Sequence, residues 1–289
     1  MIHDLPGAVP FLKGHGTGND FVLLPDLEGR LDLTPERVRA VCDRRFGLGA
    51  DGVLRVVPAI DDPDGAPWAD EARFFMDYRN ADGSVAEMCG NGARVFARYL
   101  VTAGLAPAGE LRFVTRGGVR HAHVDPVGDV VVGMGSAVAD AGGAEIRVRV
   151  GERDWAATGV LVPNPHAVAF VDDLRHAGPL DTPPEVTPGA AFPDGVNVEF
   201  VVDRGPAHVA MRVFERGVGE TLSCGTGACA VAYAARRRDG ASADRTWRVD
   251  VPGGTVHVTE HEDGSLDLAG PAVLVAEGEI LAEWWESAG

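Results

Sequence analysis

Met88-Cys89-Gly90-Asn91-Gly92-Ala93 and Ser223-Cys224-Gly225-Thr226-Gly227-Ala228 are two versions of one motif, and their spacing decides the fold. The offset is 135 positions (224 less 89), and the same offset carries Asn80 onto Glu215 (215 less 80). Further upstream, Asn19-Asp20-Phe21-Val22 has a looser counterpart in Asn164-Pro165-His166-Ala167. A repeat of this length predicts two homologous halves related by approximate two-fold symmetry.

Each half opens on strand-like stretches. Phe21-Val22-Leu23-Leu24 and Arg73-Phe74-Phe75-Met76 belong to the first, and Val168-Ala169-Phe170-Val171 and Val196-Asn197-Val198-Glu199-Phe200 to the second. All are short, β-branched or aromatic, and bounded by turn formers. Behind each Cys-Gly-x-Gly the pattern changes to good helix formers, over residues 93–100 and 228–235, so both motifs are predicted at helix N-termini. The second helix is apolar nearly all round to Ala235, which predicts burial inside its domain. Residues 183–193, with four prolines, read as a loop. Turn residues Asp125, Pro126, Gly128 and Asp129 lead into Val130-Val131-Val132 and place the crossing between halves near Met134. The halves are then residues 1–133 and 134–269, with 270–289 expected to return to the first.

A cysteine at a helix N-terminus has its thiolate favoured by the helix dipole and by N–H groups with no acceptor inside the helix. A carboxylate fits on the N–H groups of Gly90 and Asn91 and of Gly225 and Thr226, since glycines let a ligand reach the backbone. With an amino acid's α-carboxylate held there, one thiolate can remove the α-proton from one face while the other thiol protonates the opposite face. That chemistry is racemisation by two bases, and it needs a preorganised electrostatic site for the developing carbanion. Cys42 and Cys229 lack the motif and read as buried small hydrophobes. Glu215 and Arg216 offer an anion for an ammonium and a guanidinium for a carboxylate, or equally a solvated turn. Asn19, Asn80, Asn164 and Asn197 sit at turn-like positions where asparagine commonly serves local structure. His166 reads as structural or as a neighbour able to adjust a thiol. Taken alone, these residues reach an amino-acid racemase and no further.

Composition narrows the classes. At 289 residues, 45% hydrophobic and 24% charged, the chain has the balance of a globular protein with room for two domains. A formal net charge of -17 argues against nucleic acid or an anionic membrane as partner. Residues 1–16 show no basic region followed by an apolar run, and no apolar run reaches membrane length, so a cytoplasmic protein is expected. None of the four cysteines forms a Cys-x-x-Cys pair, and free thiols with no metal site are the expectation. Lys13 is the single lysine, in a segment without a phosphate cradle. Pyridoxal phosphate, which needs a lysine Schiff base, is therefore not expected, nor is any other cofactor.

At these residues the sequence resembles the diaminopimelate epimerase family, its actinobacterial members above all. The matching segments are Lys13 to Val22, Tyr78 to Ser84, Met88 to Gly92, Asn164-Pro165-His166, Gly195-Val196-Asn197, Glu215 to Thr221 and Cys224 to Gly227, in the family's order. The resemblance implies an α/β (α+β) fold of two pseudo-symmetric domains, each a sheet or barrel wrapped around a central helix, with the active site in the inter-domain cleft. It implies cofactor-independent interconversion of LL- and meso-diaminopimelate in lysine biosynthesis, and a homodimer. Carried over by motif, Cys89 takes the proton from the LL isomer and Cys224 from the D-centre of the meso isomer. Gly90, Asn91, Gly225 and Thr226 hold the reacting carboxylate. Asn19, Asn80, Asn164, Asn197 and Arg216 recognise the distal end, and Glu215 and His166 flank the reacting centre. One position departs: many members carry glutamine where this chain has Gly52. Proline or hydroxyproline racemases, which typically carry Cys-Gly-His-Gly at the first motif, are a rival. Phenazine-type isomerases, which lack the cysteine pair, are another. A non-catalytic ligand-binding protein with a Cys89–Cys224 redox switch is the rival from a different class.

Overall fold

Phe21-Val22-Leu23-Leu24 is apolar at four successive positions because both faces of its strand are covered. All four side chains are fully buried in strand Asn19–Pro25 of the computed structural model. The structure describes residues 7–139, 145–241 and 245–289, so residues 1–6, part of the stretch read for a leader, lie outside the described residues. The chain divides into two units, Met1–Val132 with Pro271–Gly289, and Gly133–Gly270.

In the first unit, Val9–Gly16 and Asn19–Pro25 form an antiparallel pair, and a parallel step leads to Gly52–Pro58. An antiparallel step follows to Phe74–Asn80, a parallel one to Gly109–Thr115, then antiparallel ones to Gly118–Val124 and the strand beginning at Val130. Strand Val273–Ile280 adds to the outer side of Val9–Gly16. In the second unit the order is Arg153–Val162, Asn164–Phe170, Asn197–Gly205, His208–Glu215, Thr246–Val251, Gly254–Glu260 and Ser265–Gly270. Its steps run antiparallel, parallel, antiparallel, parallel, antiparallel and antiparallel, the same succession as in the first unit. The repeat seen around the cysteines thus extends through the topology of both units.

Parallel neighbours need a crossover. Between the fourth and fifth strands of each succession that crossover is a buried helix, Gly90–Thr102 in the first unit and Gly225–Asp239 in the second. Every residue of the first from Gly90 to Leu100 is buried, and so is every residue of the second from Gly225 to Ala235 except Thr226. Phe96 packs against Phe113 in the first unit, the ring centroids 5.2 Å apart and the planes tilted by 45°, and truncating such a buried ring to alanine costs about 3–5 kcal/mol. The second helix ends at Gly240 in the left-handed conformation (φ 61°), with Arg236, Arg237 and Arg238 in its last turn, where cations complement the carbonyl end.

Two sequence expectations need correction. Residues 183–193 are not all loop: Glu185–Thr187 is a three-residue strand on Ile146–Val150, followed by a 3₁₀ turn at Gly189–Ala191. The prolines flank this strand without interrupting it, which leaves its N–H groups available for pairing. The strand-like stretch at residues 73–76 belongs to a longer strand, Phe74–Asn80, which continues through Asp77 and Arg79. Asp77 is fully buried, and burial alone would raise its pKa. Arg79 at 2.7 Å and Arg116 at 2.7 Å outweigh that and hold it below the usual carboxylate range.

Candidate active site

Cys89 and Cys224 are the N-cap residues of the two buried helices, both in extended conformation (φ −134° and −119°). Helical bonding begins with the Ala93 N–H on the Cys89 carbonyl at 2.7 Å and the Ala228 N–H on the Cys224 carbonyl at 2.9 Å. The N–H groups of Gly90, Asn91, Gly225 and Thr226 therefore point out of the helix ends, where an anion is favoured. None of the four cysteines is in a disulfide. Burial pushes the Cys42 thiol up to about 12, as the reading of it as a small hydrophobe expects.

In the first unit three predicted site residues meet. Asn19 Oδ1 accepts from Asn91 Nδ2 at 3.1 Å and lies 3.6 Å from Cys89 Sγ, within reach of its S–H. Asn19 Nδ2 donates to Asp51 Oδ2 at 2.7 Å, and Arg94 Nη2 donates to Asn91 Oδ1 at 2.9 Å. Asn91 is 1% exposed and Arg94 0%. The hairpin turn before Asn19 puts Thr17 (φ 51°) and Gly18 (φ 83°) in the left-handed region that a two-residue turn requires. Thr17 has no glycine freedom there, and its hydroxyl accepts from Arg94 Nη2 at 3.1 Å, tying the turn to the same chain of bonds.

Asn80 has different partners. It accepts from the Tyr78 hydroxyl at 2.8 Å and donates to Ser84 Oγ at 3.0 Å. Gly52 pairs with Asn80 in the sheet, and a Cβ on Gly52 would stand 2.6 Å from the Arg79 carbonyl and 2.8 Å from Tyr78 Cε2. Tyr78 thus occupies the space that a side chain at position 52 needs, which accounts for glycine there. Lys13, the single lysine, is bound to Asp20 at 2.6 Å and to the Gly49 carbonyl. Arg44 bridges Asp20 and Asp51, each at 2.7 Å. Burial would raise the Asp20 pKa, but its bonds to Arg44 and Lys13 prevail and hold it near about 2.

The second unit carries a different set of groups at its helix end. Cys224 Sγ accepts from the Gly227 N–H at 3.3 Å and lies 3.5 Å from Thr226 Oγ1. His166 Nδ1 is 2.7 Å from Glu199 Oε1, and Nε2 is 3.0 Å from Asn164 Oδ1. His166 and Glu199 are both fully buried, and Glu199 Oε2 has no hydrogen-bond partner among the described residues. A Cβ on Gly227 would meet Glu199 Oε1 at 2.8 Å and Cys224 Sγ at 3.3 Å, so the second glycine of the motif leaves room for both groups. Glu215 accepts from the Thr221 hydroxyl; burial first, and then the Glu199 charge, raise its pKa. The Cys224 thiol is itself driven well above its ordinary value, first by burial and then by Glu215 and Glu199, against the Thr226 hydroxyl and the Gly227 N–H. At Cys224 desolvation thus outweighs what the helix N-terminus offers a thiolate.

Asn197 and Arg216 make a pair of their own. Asn197 Oδ1 accepts the Arg216 N–H at 2.9 Å, and the guanidinium, exposed, rests on the Asp194 carbonyl at 2.7 Å. Gly195 (φ 82°) lies under that arginine, where a Cβ would stand 2.9 Å from Arg216 Cδ. Glu199, Asp51 and Tyr78 were not singled out from the sequence. Glu199 had a signal, a charge inside the apolar run Val198 to Val202; Asp51 and Tyr78 had none beyond their neighbours. Two cavities of about 430 and 390 Å³ lie around Trp284 and Ile60, and none of these residues lines either.

Comparison with known proteins adds the following. The sequence matches the profile of the family described as diaminopimelate epimerase over residues 11–139 and 158–275. It is 60% identical over 283 residues to the diaminopimelate epimerase of Streptomyces coelicolor, covering 96% of this chain and 97% of that protein. It is 49% identical over 296 residues to that of Acidothermus cellulolyticus, covering 94% and 96%. Among solved structures, a hydroxyproline epimerase from Agrobacterium vitis superposes with a TM-score of 0.67 at 14% identity, over 95% of this chain and 93% of that one. A phenazine biosynthesis protein from Bacillus anthracis gives 0.69 at 17% identity, over 95% and 99%. At such identities the two structures speak for the fold alone.

Proposed function

The chain belongs to the diaminopimelate epimerase family, and on that premise we propose that Cys89 and Cys224 are the two bases of its reaction. The reaction is the interconversion of LL- and meso-diaminopimelate, an isomerisation in lysine biosynthesis. One observation carries the residue assignment: each cysteine caps a buried helix that begins with Gly-x-Gly.

From the LL isomer, the Cys89 thiolate takes the α-proton and becomes a thiol. The Cys224 thiol gives its proton to the opposite face of the same carbon and becomes a thiolate. One proton enters and one leaves, so the charge passes from one sulfur to the other and the reverse reaction begins with Cys224. In this reading the α-carboxylate sits on the N–H groups of Gly90, Asn91, Gly225 and Thr226, where the helix ends oppose the charge that develops as the C–H bond breaks. Glu215 receives the reacting ammonium, with His166 beside it. Asn80, Asn164, Asn197 and Arg216 recognise the distal end, the arginine as a planar partner for its carboxylate. Asn19 is assigned there by motif, and its 3.6 Å approach to Cys89 gives it a place at the reacting sulfur too.

The test is solvent deuterium incorporation at the α-carbon of LL-diaminopimelate in reducing buffer. Wild type should exchange and epimerise, and Cys89→Ala and Cys224→Ala should each lose epimerisation. Epimerisation retained by either folded variant sinks the two-thiol assignment.

A further inference from the structure

The hydrogen bonds around Cys89 settle which way two amides point. An ionised carboxylate only accepts, so Asp51 Oδ2 at 2.7 Å requires the NH₂ of Asn19 on its side. Asn19 Oδ1 is then turned to Asn91 Nδ2 at 3.1 Å and Cys89 Sγ at 3.6 Å. At the far end a guanidinium only donates, so Arg94 Nη2 at 2.9 Å requires the Asn91 oxygen on its side and leaves the Asn91 NH₂ for Asn19. The chain runs from carboxylate to amide to amide to guanidinium with one direction throughout, and Cys89 hangs from its middle on a carbonyl oxygen. A carbonyl accepts from an S–H and offers a thiolate nothing, whereas an amide NH₂ in the same place would favour the thiolate.

We propose that Asp51 is a positioning residue of the epimerase: it fixes the Asn19 amide so that the carbonyl, not the NH₂, faces Cys89 and holds that sulfur toward the thiol. The proposal rests on the two-thiol reading above. Asp51 itself is anchored by Arg44 at 2.7 Å and by the Asp20 N–H at 3.1 Å, so its carboxylate is not free to turn. The other charged groups on this side are Asp20 and Lys13, paired with each other at 2.6 Å, and Arg94 on the helix.

Cys89 is partly exposed, so the pH dependence of its alkylation by iodoacetamide, read by peptide mapping of the full-length reduced protein, reports its thiolate directly. Asp51→Asn gives the Asn19 amide a neighbour that can donate as well as accept, loosening one of its two holds while the Asn91 NH₂ remains, and the Cys89 alkylation rate at pH 7 should rise about fivefold, with its midpoint moved to lower pH. Removing a negative charge acts in the same direction through space, so two controls separate the effects. Asp20→Asn removes an equal charge without touching Asn19 and should change the rate less. In an Asn19→Ala background, which has already lost the carbonyl and should itself react faster, Asp51→Asn should add no more than the through-space effect seen in Asp20→Asn. No acceleration in Asp51→Asn, or the same acceleration with and without Asn19, overturns the proposal. Should Asp51→Asn fail to fold, Asn19→Ala alone decides, because unchanged Cys89 alkylation in that variant refutes the carbonyl's role. A failure of the two-thiol reading shows separately, as epimerisation retained by Cys89→Ala.

Discussion

Gly227→Ala tests whether the crowding behind Cys224 sets the reactive geometry. The new methyl would stand 2.8 Å from Glu199 Oε1 and 3.3 Å from Cys224 Sγ, and the carboxylate it meets is buried and bound to His166 at 2.7 Å. Either the carboxylate or the sulfur must yield by several tenths of an ångström. Stability should barely record this, since alanine gains about 1 kcal/mol over glycine in a helix while overpacking costs about 1–3 kcal/mol. The net loss is between nothing and about 2 kcal/mol, or a Tm lower by no more than roughly 8 °C at this chain length. Catalysis should record it more clearly, because displacing a reacting group by about 1 Å costs on the order of 100-fold and about half that displacement on the order of tenfold. The assay is kcat for LL-diaminopimelate epimerisation beside a thermal melt. Gly189→Ala, at a position with nothing within 4 Å of the added carbon, serves as the control and should leave kcat unchanged. A Gly227→Ala protein with kcat within threefold of wild type would refute the argument that Glu199 and the glycine together place the sulfur.

Tyr78→Phe removes the donor that holds Asn80, and KM should rise about fivefold with kcat nearly unchanged; an equal fall in kcat would place Asn80 at the reacting centre and not the distal end. Glu215 is raised above its unfolded value near 4.5, burial being the first cause, so the folded state holds its proton more tightly than the unfolded one. Its contribution to stability is then present below that unfolded value and is lost as pH rises through the folded one. Glu215→Gln removes the loss, so its Tm should gain on wild type between pH 4 and 7, and a constant difference in melts across that range would contradict the burial. Cys42, pushed up to about 12, should resist iodoacetamide in the native protein at pH 8, and peptide mapping that finds it modified as fast as Cys89 would show that burial does not govern it.

How much of this was legible in the sequence follows from the range of each signal. The Cys-Gly-x-Gly repeat is local and names both helix starts, and the Asn80 to Glu215 correspondence marks the last residue of equivalent strands, Phe74–Asn80 and His208–Glu215. Asn19 and Asn164 likewise begin equivalent strands. The partners of those residues are set by strands distant in sequence and were not legible. Nothing local says that Asp51 binds Asn19 or that Glu199 lies under Gly227. The surroundings of Cys224 were only half legible for a related reason. A helix N-terminus is visible in sequence, whereas the depth at which it is buried and the carboxylates it meets there depend on how strands Asn164–Phe170, Asn197–Gly205 and His208–Glu215 are brought together.

The burial of Cys224 bears on how a two-base epimerase works in both directions. In the proposed mechanism the two sulfurs share one proton, and each direction of reaction needs it on a different sulfur. Burial, Glu215 and Glu199 hold Cys224 toward the thiol, which by itself favours the form that accepts the LL isomer. The Asn19 carbonyl, locked by Asp51, supplies the opposing bias at Cys89 by a different means, one hydrogen bond at a partly exposed sulfur instead of desolvation at a buried one. A repeated fold therefore does not require repeated electrostatics. What reversibility requires is that two unlike environments cost the thiolate similar amounts, and Asp51→Asn should upset that balance at one end while leaving Cys224 as it was.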